Sequence, residues 1–383
     1  MPRPLALYLH IPFCAVRCHY CDFNTYAGLD SLFEQYAAAL ATEIMQAGVE
    51  RGRPTVSSVF LGGGTPTVLP RDLLARVMAA CRDAFAVIED AEITSEANPG
   101  TADASLFVAL HAMGVNRLSM GVQSLDDAEL QWLGRIHGAD EAVRAYHVAR
   151  QAGFENINLD FMFGLPGQSI ETWRRTLDRA IDLNPEHLSL YGLTVEHGTP
   201  LYDRVRRGLQ APPSDDRAAD CYLLALDRLA VAGYEQYEIS NWSRPGRQCR
   251  HNLIYWRHEP YLGFGAGAHS FAGDRRWWNV RPVPEYIQRV ESGASPERDG
   301  EPIGRSVAMG EFMMLGLRLV QEGVTDAAFR SRFGVDVEVV FGYEIDRLVR
   351  RGLLERLSDR LRLTSGGRLL GNQVFAEFLT VSE

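Results

Sequence analysis

Three cysteines stand close together near the start of the chain. Cys14, Cys18 and Cys21 are spaced C-x3-C-x2-C within LYLHIPFCAVRCHYCDFN, residues 7–24. Three thiolates on one short loop can hold three irons of a four-iron cluster, because such clusters take cysteine sulfur ligands. The fourth iron then lacks a protein ligand in this loop, and an open iron in a reducing cluster is a place for chemistry. A structural zinc site wants four ligands, often as two spaced pairs. No second C-x2-C pair exists here, although His10 and His19 stand nearby. Disulfides belong to oxidising compartments, and MPRPLALYLH lacks the apolar region and cleavage site of a secretion signal. The expected location is therefore cytoplasmic. Cys81, Cys221 and Cys249 are scattered and read as buried free thiols.

The loop needs a rigid support. The apolar run 5–11 reads as a strand that Pro12 stops. Further strands are expected at 57–61, 92–97, 117–121, 157–163 and 187–191. Amphipathic helices at 32–47, 73–85, 105–113, 139–151 and 170–183 fall between them. Alternation of this kind predicts an α/β fold with a parallel sheet and helices outside. Eight units close a full barrel, so six predict a partial one, open along a side, with ligands at the carboxyl ends of the strands. Beyond residue 200 we expect a helix at 217–231, a strand at 234–239, an irregular segment at 240–278 and a linker at 291–305. Helices at 307–320, 326–333 and 335–351, followed by a β-wing with a Gly366-Gly367 turn, predict a small winged-helix-like domain. The expected divisions are 1–200, 201–300 and 301–383.

The 383 residues suffice for a large core, and the net charge of −10 disfavours nucleic acid as a partner. Glu344 and Asp346 on the last long helix point the same way. No apolar run reaches the length of a membrane span.

The cysteine spacing after a first strand resembles the radical S-adenosylmethionine (SAM) superfamily, in which the open iron chelates SAM. Gly62-Gly63-Gly64-Thr65-Pro66-Thr67 follows the second strand. Its glycines allow close backbone approach to a ligand such as the methionine end of SAM, though Gly and Pro also mark ordinary turns. Glu96, Gln123 and Asp160 fall at or just after later strands, and Arg135 lies in Leu133-Gly134-Arg135-Ile136-His137. Singly these read as capping or surface residues. Together they put carboxylates, an amide and a guanidinium at one mouth of the sheet. Such groups can meet an ammonium, a ribose diol and a carboxylate.

Five strings sharpen the resemblance: Tyr8-Leu9-His10-Ile11-Pro12-Phe13-Cys14, the glycine run, Gly121-Val122-Gln123-Ser124, Asp160-Phe161-Met162-Phe163-Gly164-Leu165-Pro166 and His251-Asn252-Leu253-Ile254-Tyr255-Trp256. They resemble the oxygen-independent coproporphyrinogen III oxidase family over nearly the whole chain. The resemblance implies a partial (β/α)6 barrel, a [4Fe-4S] cluster on Cys14, Cys18 and Cys21, and SAM contacts at Tyr8, Gly63, Gly64, Thr65, Glu96, Gln123, Arg135 and Asp160. The true dehydrogenases of that family carry another cysteine two residues after the third ligand, where this chain has Phe23, and an N-terminal extension ahead of the first strand. Those departures resemble the heme-chaperone branch, which binds heme and delivers it to membrane cytochromes. Coproporphyrinogen dehydrogenase activity is accordingly expected to be absent. Homodimerisation and peripheral membrane association are further expectations. Within Cys249-Arg250-His251-Asn252-Leu253-Ile254-Tyr255-Trp256, the resemblance favours His251 as the heme ligand. A histidine or a thiolate can ligate heme iron, and Tyr255 and Trp256 can offer flat surface to a porphyrin. Cys249, His258 and His269 remain rival ligands, and His251 can equally cap a loop.

Overall fold

Strand β1 (Leu5–Ile11) buries Ala6, Leu7, Leu9 and Ile11 almost completely, so both its faces are covered. A strand covered on both faces belongs inside a sheet. The computed structural model, which describes residues 5–379, places it there. Five more strands run parallel to it in sequence order: β2 (Thr55–Gly63), β3 (Ala86–Ala97), β4 (Arg117–Gln123), β5 (Ile157–Phe163) and β6 (His187–Gly192). Helices Phe33–Glu50, Arg71–Ala84, Ala104–Ala112, Ala139–Gln151 and Ile170–Asp182 make the return crossings. The last shows why they form. Its apolar face buries Trp173, Leu177 and Ala180 at helical spacing, and Ser169 caps its start by accepting from Thr172 N. Trp173 also donates through Nε1 to Cys221 O at 2.9 Å, so this large side chain is buried with its polar atom satisfied.

The sheet continues on both sides. Beyond β6 lie β7 (Glu235–Glu238) and β8 (Asn241–Ser243). Beyond β1 lie β9 (Tyr261–Phe264), β10 (His269–Ala272), β11 (Arg275–Asn279) and β12 (Glu297–Pro302). The order across the twelve strands is β12-β11-β10-β9-β1-β2-β3-β4-β5-β6-β8-β7. Strand β9 is parallel to β1, and the outer strands are antiparallel.

The concave face of the parallel strands is polar. Glu92 pairs in register with Ser58, Glu96 with Ser119, and Asp160 with Gly121 and Ser189. Buried polar side chains need partners, and here they supply one another. Asn158 Nδ2 donates to Ser119 Oγ at 2.7 Å and to Asp160 Oδ1 at 2.8 Å, while Asn158 Oδ1 accepts from Ser189 Oγ at 3.1 Å.

A second apolar core, including Met313, Phe329, Phe341, Leu361 and Phe378, lies within residues 309–378. It is built on helices Arg305–Gly316, Asp326–Phe333, Val337–Arg350 and Gly371–Leu379 and a three-stranded antiparallel sheet. Among the described residues no helix is long and apolar enough to cross a membrane.

Three expectations are corrected. The presumed linker at 291–305 contains edge strand β12; its charges suit an exposed sheet edge and hid it in the sequence. The segment 240–278 is not irregular but holds β8 to β11 and helix Arg250–Trp256, each too short to show a period. Gly366 and Gly367 are not a hairpin turn. They open helix Ser365–Leu369, where a Cβ on Gly367 would lie 2.0 Å from Leu353 O. Helices Asp127–Leu133 and Pro200–Arg206 were not anticipated.

Candidate functional site

The cysteine loop is pinned at both ends. Cys14 N donates to Tyr26 O at 2.9 Å and Tyr26 N to Pro12 O at 2.7 Å. Phe13, fully buried against Phe33 and Tyr36, anchors it to the first helix. The three thiols are free, partly exposed and line one cavity of about 390 Å³. Thr65 Oγ1 donates to Cys14 Sγ at 3.7 Å, Arg135 Nη1 to Cys18 Sγ at 3.3 Å, and Cys21 Sγ lies 3.8 Å from Thr25 Oγ1. Burial pushes the Cys14 and Cys21 thiols above their ordinary range. Among the described residues no three His, Cys, Asp or Glu side chains are close enough to share a single metal ion. Three thiols opening onto one cavity, with donors aimed at sulfur, fit a larger sulfur-ligated group such as a cluster.

The same cavity collects the carboxyl ends of the parallel strands. Gly63, Gly64, Thr65, Glu96, Gln123, Arg135 and Asp160 all line it, as the sequence led one to expect. The glycines have a packing reason. A Cβ on Gly64 would lie 2.4 Å from Phe13 O, and Gly64 N and Thr65 N donate to Ile11 O and Phe13 O, each at 2.8 Å. Gly63 has φ +113° and runs directly beneath the His10 ring.

Glu96 accepts from Gly63 N at 3.0 Å, and its pKa is pushed up to about 8 by burial and then by the nearby Asp160 charge. Burial also raises Asp160, against the opposing hydrogen bonds from Asn158 and Ser119. Arg135 donates to Gly121 O at 2.7 Å as well as to Cys18, tying the cysteine loop to the end of β4. Gln123 sits at φ +70°, a left-handed conformation costing on the order of 1–3 kcal/mol for a residue other than glycine. Ser119, Tyr191 and Thr194 also line the cavity and were not singled out, although the strand-end position that marked Gln123 applies equally to Tyr191 and Thr194.

Tyr8 lies outside this cavity. Its side chain stacks on Phe60 and its hydroxyl donates to His10 Nδ1 at 3.0 Å. His10 Nε2 faces Asn24 O at 2.9 Å, which fixes the proton on Nε2. Burial lowers the His10 pKa to about 4, so the ring stays neutral. Tyr8 and His10 belong to a second cavity of about 570 Å³, which shares Phe23, Gly63 and Glu96 with the first and extends under β9 to β11.

His251 lies outside both cavities. It is 1% exposed, with Nδ1 2.5 Å from Ser58 Oγ and Nε2 2.9 Å from Tyr255 Oη. Burial and then the Arg117 charge pull its pKa down to about 3. Ser58 lies five residues before Gly63 along β2, on the order of 16 Å from the cysteine loop's end of the sheet. Both ring nitrogens are occupied, so in this arrangement the histidine cannot ligate heme. Glu92 explains the helix that carries it, accepting from Arg250 N and His251 N, each at 3.0 Å, at the helix start. At its other end Trp256 lies under Arg318 of the C-terminal core, 4.6 Å from guanidinium carbon to ring centre. Cys249 is fully buried against Glu92, and His258 is buried between Phe271 and Glu311. His269 alone of the rival ligands is exposed, on the rim of the second cavity.

The comparisons with known proteins agree with this architecture. Residues 8–180 match the Radical SAM superfamily, and residues 305–370 match the HemN C-terminal domain. The chain is 38% identical to the heme chaperone HemW of Bacillus subtilis, over 97% of this chain and 98% of that protein. It is likewise 38% identical to the heme chaperone HemW of Escherichia coli, over 98% of each. The solved structure of coproporphyrinogen III oxidase (HemN) from Escherichia coli, a radical SAM enzyme, superposes with a TM-score of 0.85 at 26% identity, covering 99% of this chain and 91% of that one. With a cysteine loop and strand-end pocket inside the matched region, and full-length likeness to HemW proteins, the chain belongs to the HemW family of radical SAM proteins.

Proposed function

We propose that the chain is a heme chaperone that binds heme and delivers it to membrane cytochromes. It works in the cytoplasm, where thiols stay reduced, as a homodimer that docks peripherally at the membrane. The observation that carries this reading is the full-length likeness to HemW proteins. It is supported by Phe23, 64% exposed at the position where the oxidases that the sequence resembles have a further cysteine.

Cys14, Cys18 and Cys21 hold a [4Fe-4S] cluster, and SAM occupies the cavity above β2 to β5. When bound, the two supply one-electron reduction of a sulfonium by a low-potential centre. The protein's part is positioning. Glu96 and Asp160 offer carboxylates to an ammonium and hydroxyls, and Arg135 offers a guanidinium beside the loop. The backbone after β2 brings its peptide groups to the cavity wall.

A second reading, radical decarboxylation of coproporphyrinogen III propionates, is favoured by the HemN superposition. One anaerobic preparation separates the two. The cluster is reconstituted; heme is titrated, and coproporphyrinogen III is assayed separately with SAM and reductant. A Soret shift without protoporphyrinogen is the expected result. Protoporphyrinogen formation at catalytic rates would overturn the chaperone reading.

A further inference from the structure

The heme reading leaves open where a metalloporphyrin sits, and a porphyrin site has physical requirements. It needs an unoccupied neutral imidazole or a thiolate facing open space, flat apolar walls, and a cation for the propionates. His251, His258 and Cys249 fail the first requirement, being buried and engaged as described. His10 reaches the second cavity but has both nitrogens bonded.

His269 meets it. It is the first residue of β10, directly across from Trp278 of β11, and its ring stacks on that indole with centroids 5.6 Å apart. The ring is exposed and has no hydrogen-bond partner among the described residues. Burial, Arg276 and Arg281 hold its pKa below the usual value, so the imidazole is neutral at physiological pH. The cavity it borders presents Tyr255, Tyr261, Trp278 and Phe23 as aromatic wall. Arg281 supplies a guanidinium without an ion pair among the described residues.

The rim is also built rather than loose. Buried Glu43 accepts from Gly265 N at 2.8 Å, Asn279 Nδ2 at 2.7 Å and Tyr286 Oη at 2.6 Å. Asn24 donates to Ala266 O and Arg281 O, each at 3.0 Å. Gly267, at φ +76°, passes so close to Asn24 that a Cβ would lie 2.7 Å from its amide nitrogen. These bonds hold the cysteine loop, the first helix and the β9–β11 segment as one frame.

We propose that this second cavity is the heme site, with His269 as axial ligand, Trp278 and the tyrosines against the macrocycle and Arg281 on a propionate. The inference rests on the heme-chaperone reading and goes beyond it by naming the ligand. It also places the cargo beside the SAM pocket, across the wall formed by Gly63 and Glu96.

The test is heme titration of the cluster-loaded, SAM-bound chain, followed by Soret absorbance and by resonance Raman or electron paramagnetic resonance of the ferric form. His269→Ala is expected to abolish the imidazole-ligated signature and to weaken binding by about tenfold or more, the scale on which groups that fix a metal site act. In His269→Gly, added imidazole is expected to restore the signature. In His251→Gln, which can keep a hydrogen bond within its buried network, the ligation signature is expected to persist. A wild-type signature in His269→Ala overturns the assignment while leaving the heme reading intact. Absence of any Soret shift with the unaltered chain overturns both.

Discussion

Glu96→Gln should make the empty protein more stable while weakening its hold on SAM. In the unfolded chain Glu96 loses its proton near the ordinary glutamate value of 4.5; in the fold burial and Asp160 hold the proton until about pH 8. The folded state therefore binds more protons across that window, and its stability falls as pH rises through it. At about 1.4 kcal/mol per pH unit, the full cost above pH 8 is at most about 5 kcal/mol. The carboxyl lines a cavity that water enters, so about 2–3 kcal/mol is the expected observed gain. Glutamine cannot ionise, yet its amide oxygen can still accept from Gly63 N. Chemical denaturation of the cluster-free protein at pH 5.5 and pH 8 reads the effect. The variant should exceed the parent by about 1 kcal/mol at the lower pH, where the unfolded carboxyl is already mostly ionised, and by the larger margin at the higher. A pH-independent difference, or a less stable variant at pH 8, would refute the reasoning. The functional cost should appear in calorimetry with SAM. Losing a charge-assisted hydrogen bond of about 1.5–3 kcal/mol lowers affinity by roughly tenfold to a hundredfold. The parent should release a proton on binding near pH 7, because its carboxyl must ionise to meet an ammonium, and the variant should not.

Changing Cys14, Cys18 or Cys21 singly to Ser should abolish stable cluster reconstitution, read as iron content and visible absorbance, whereas Cys81→Ser and Cys221→Ser should retain both. Arg135→Lys should lose the fork joining Cys18 Sγ to Gly121 O and weaken SAM binding by about 1–2 kcal/mol in calorimetry, with little change in melting temperature because the side chain is part-exposed. His251→Ala should destabilise the fold by about 2–4 kcal/mol in denaturant titration, because Ser58 and Tyr255 each lose a partner in a buried setting. Cluster assembly on the empty chain should slow as pH falls, because the half-buried Cys14 and Cys21 thiols, held above their ordinary range, must ionise to bind iron.

What could be read from the chain follows from length scales. Strands β1 to β6 and their crossing helices carry enough residues for a periodic pattern, and bounds such as 157–163 and 139–151 agree with the structure. Strands β8 to β11 have three to five residues each, too few to show alternation. Helix Asp127–Leu133 was legible in principle, since Asp126 caps its start and Gly134 ends it in the left-handed conformation. The first cavity was visible because a parallel sheet gathers whatever follows its strands. Tyr8 departs from that rule because it lies in the middle of β1, where it stacks on Phe60, bonds to His10 and lines the second cavity. The second cavity was hidden because its walls come from the cysteine loop and from strands some 240 residues later, joined by Asn24 and Glu43.

The string around His251 shows how one pattern can carry two physical meanings. As sequence, histidine followed by Tyr-Trp resembles a heme ligand beside flat rings. In the fold the residues brace three elements. His251 binds β2 through Ser58, Glu92 of β3 caps the helix, and Trp256 meets Arg318 of the C-terminal core. Only Tyr255 reaches the second cavity, and its hydroxyl is the partner of His251 Nε2. A change at His251 therefore loosens a wall of that cavity without touching a metal. Loss of heme affinity in a His251 variant is expected on both accounts and cannot choose between them. The ligation spectrum can, because it reports the atom on iron rather than the fit of the pocket.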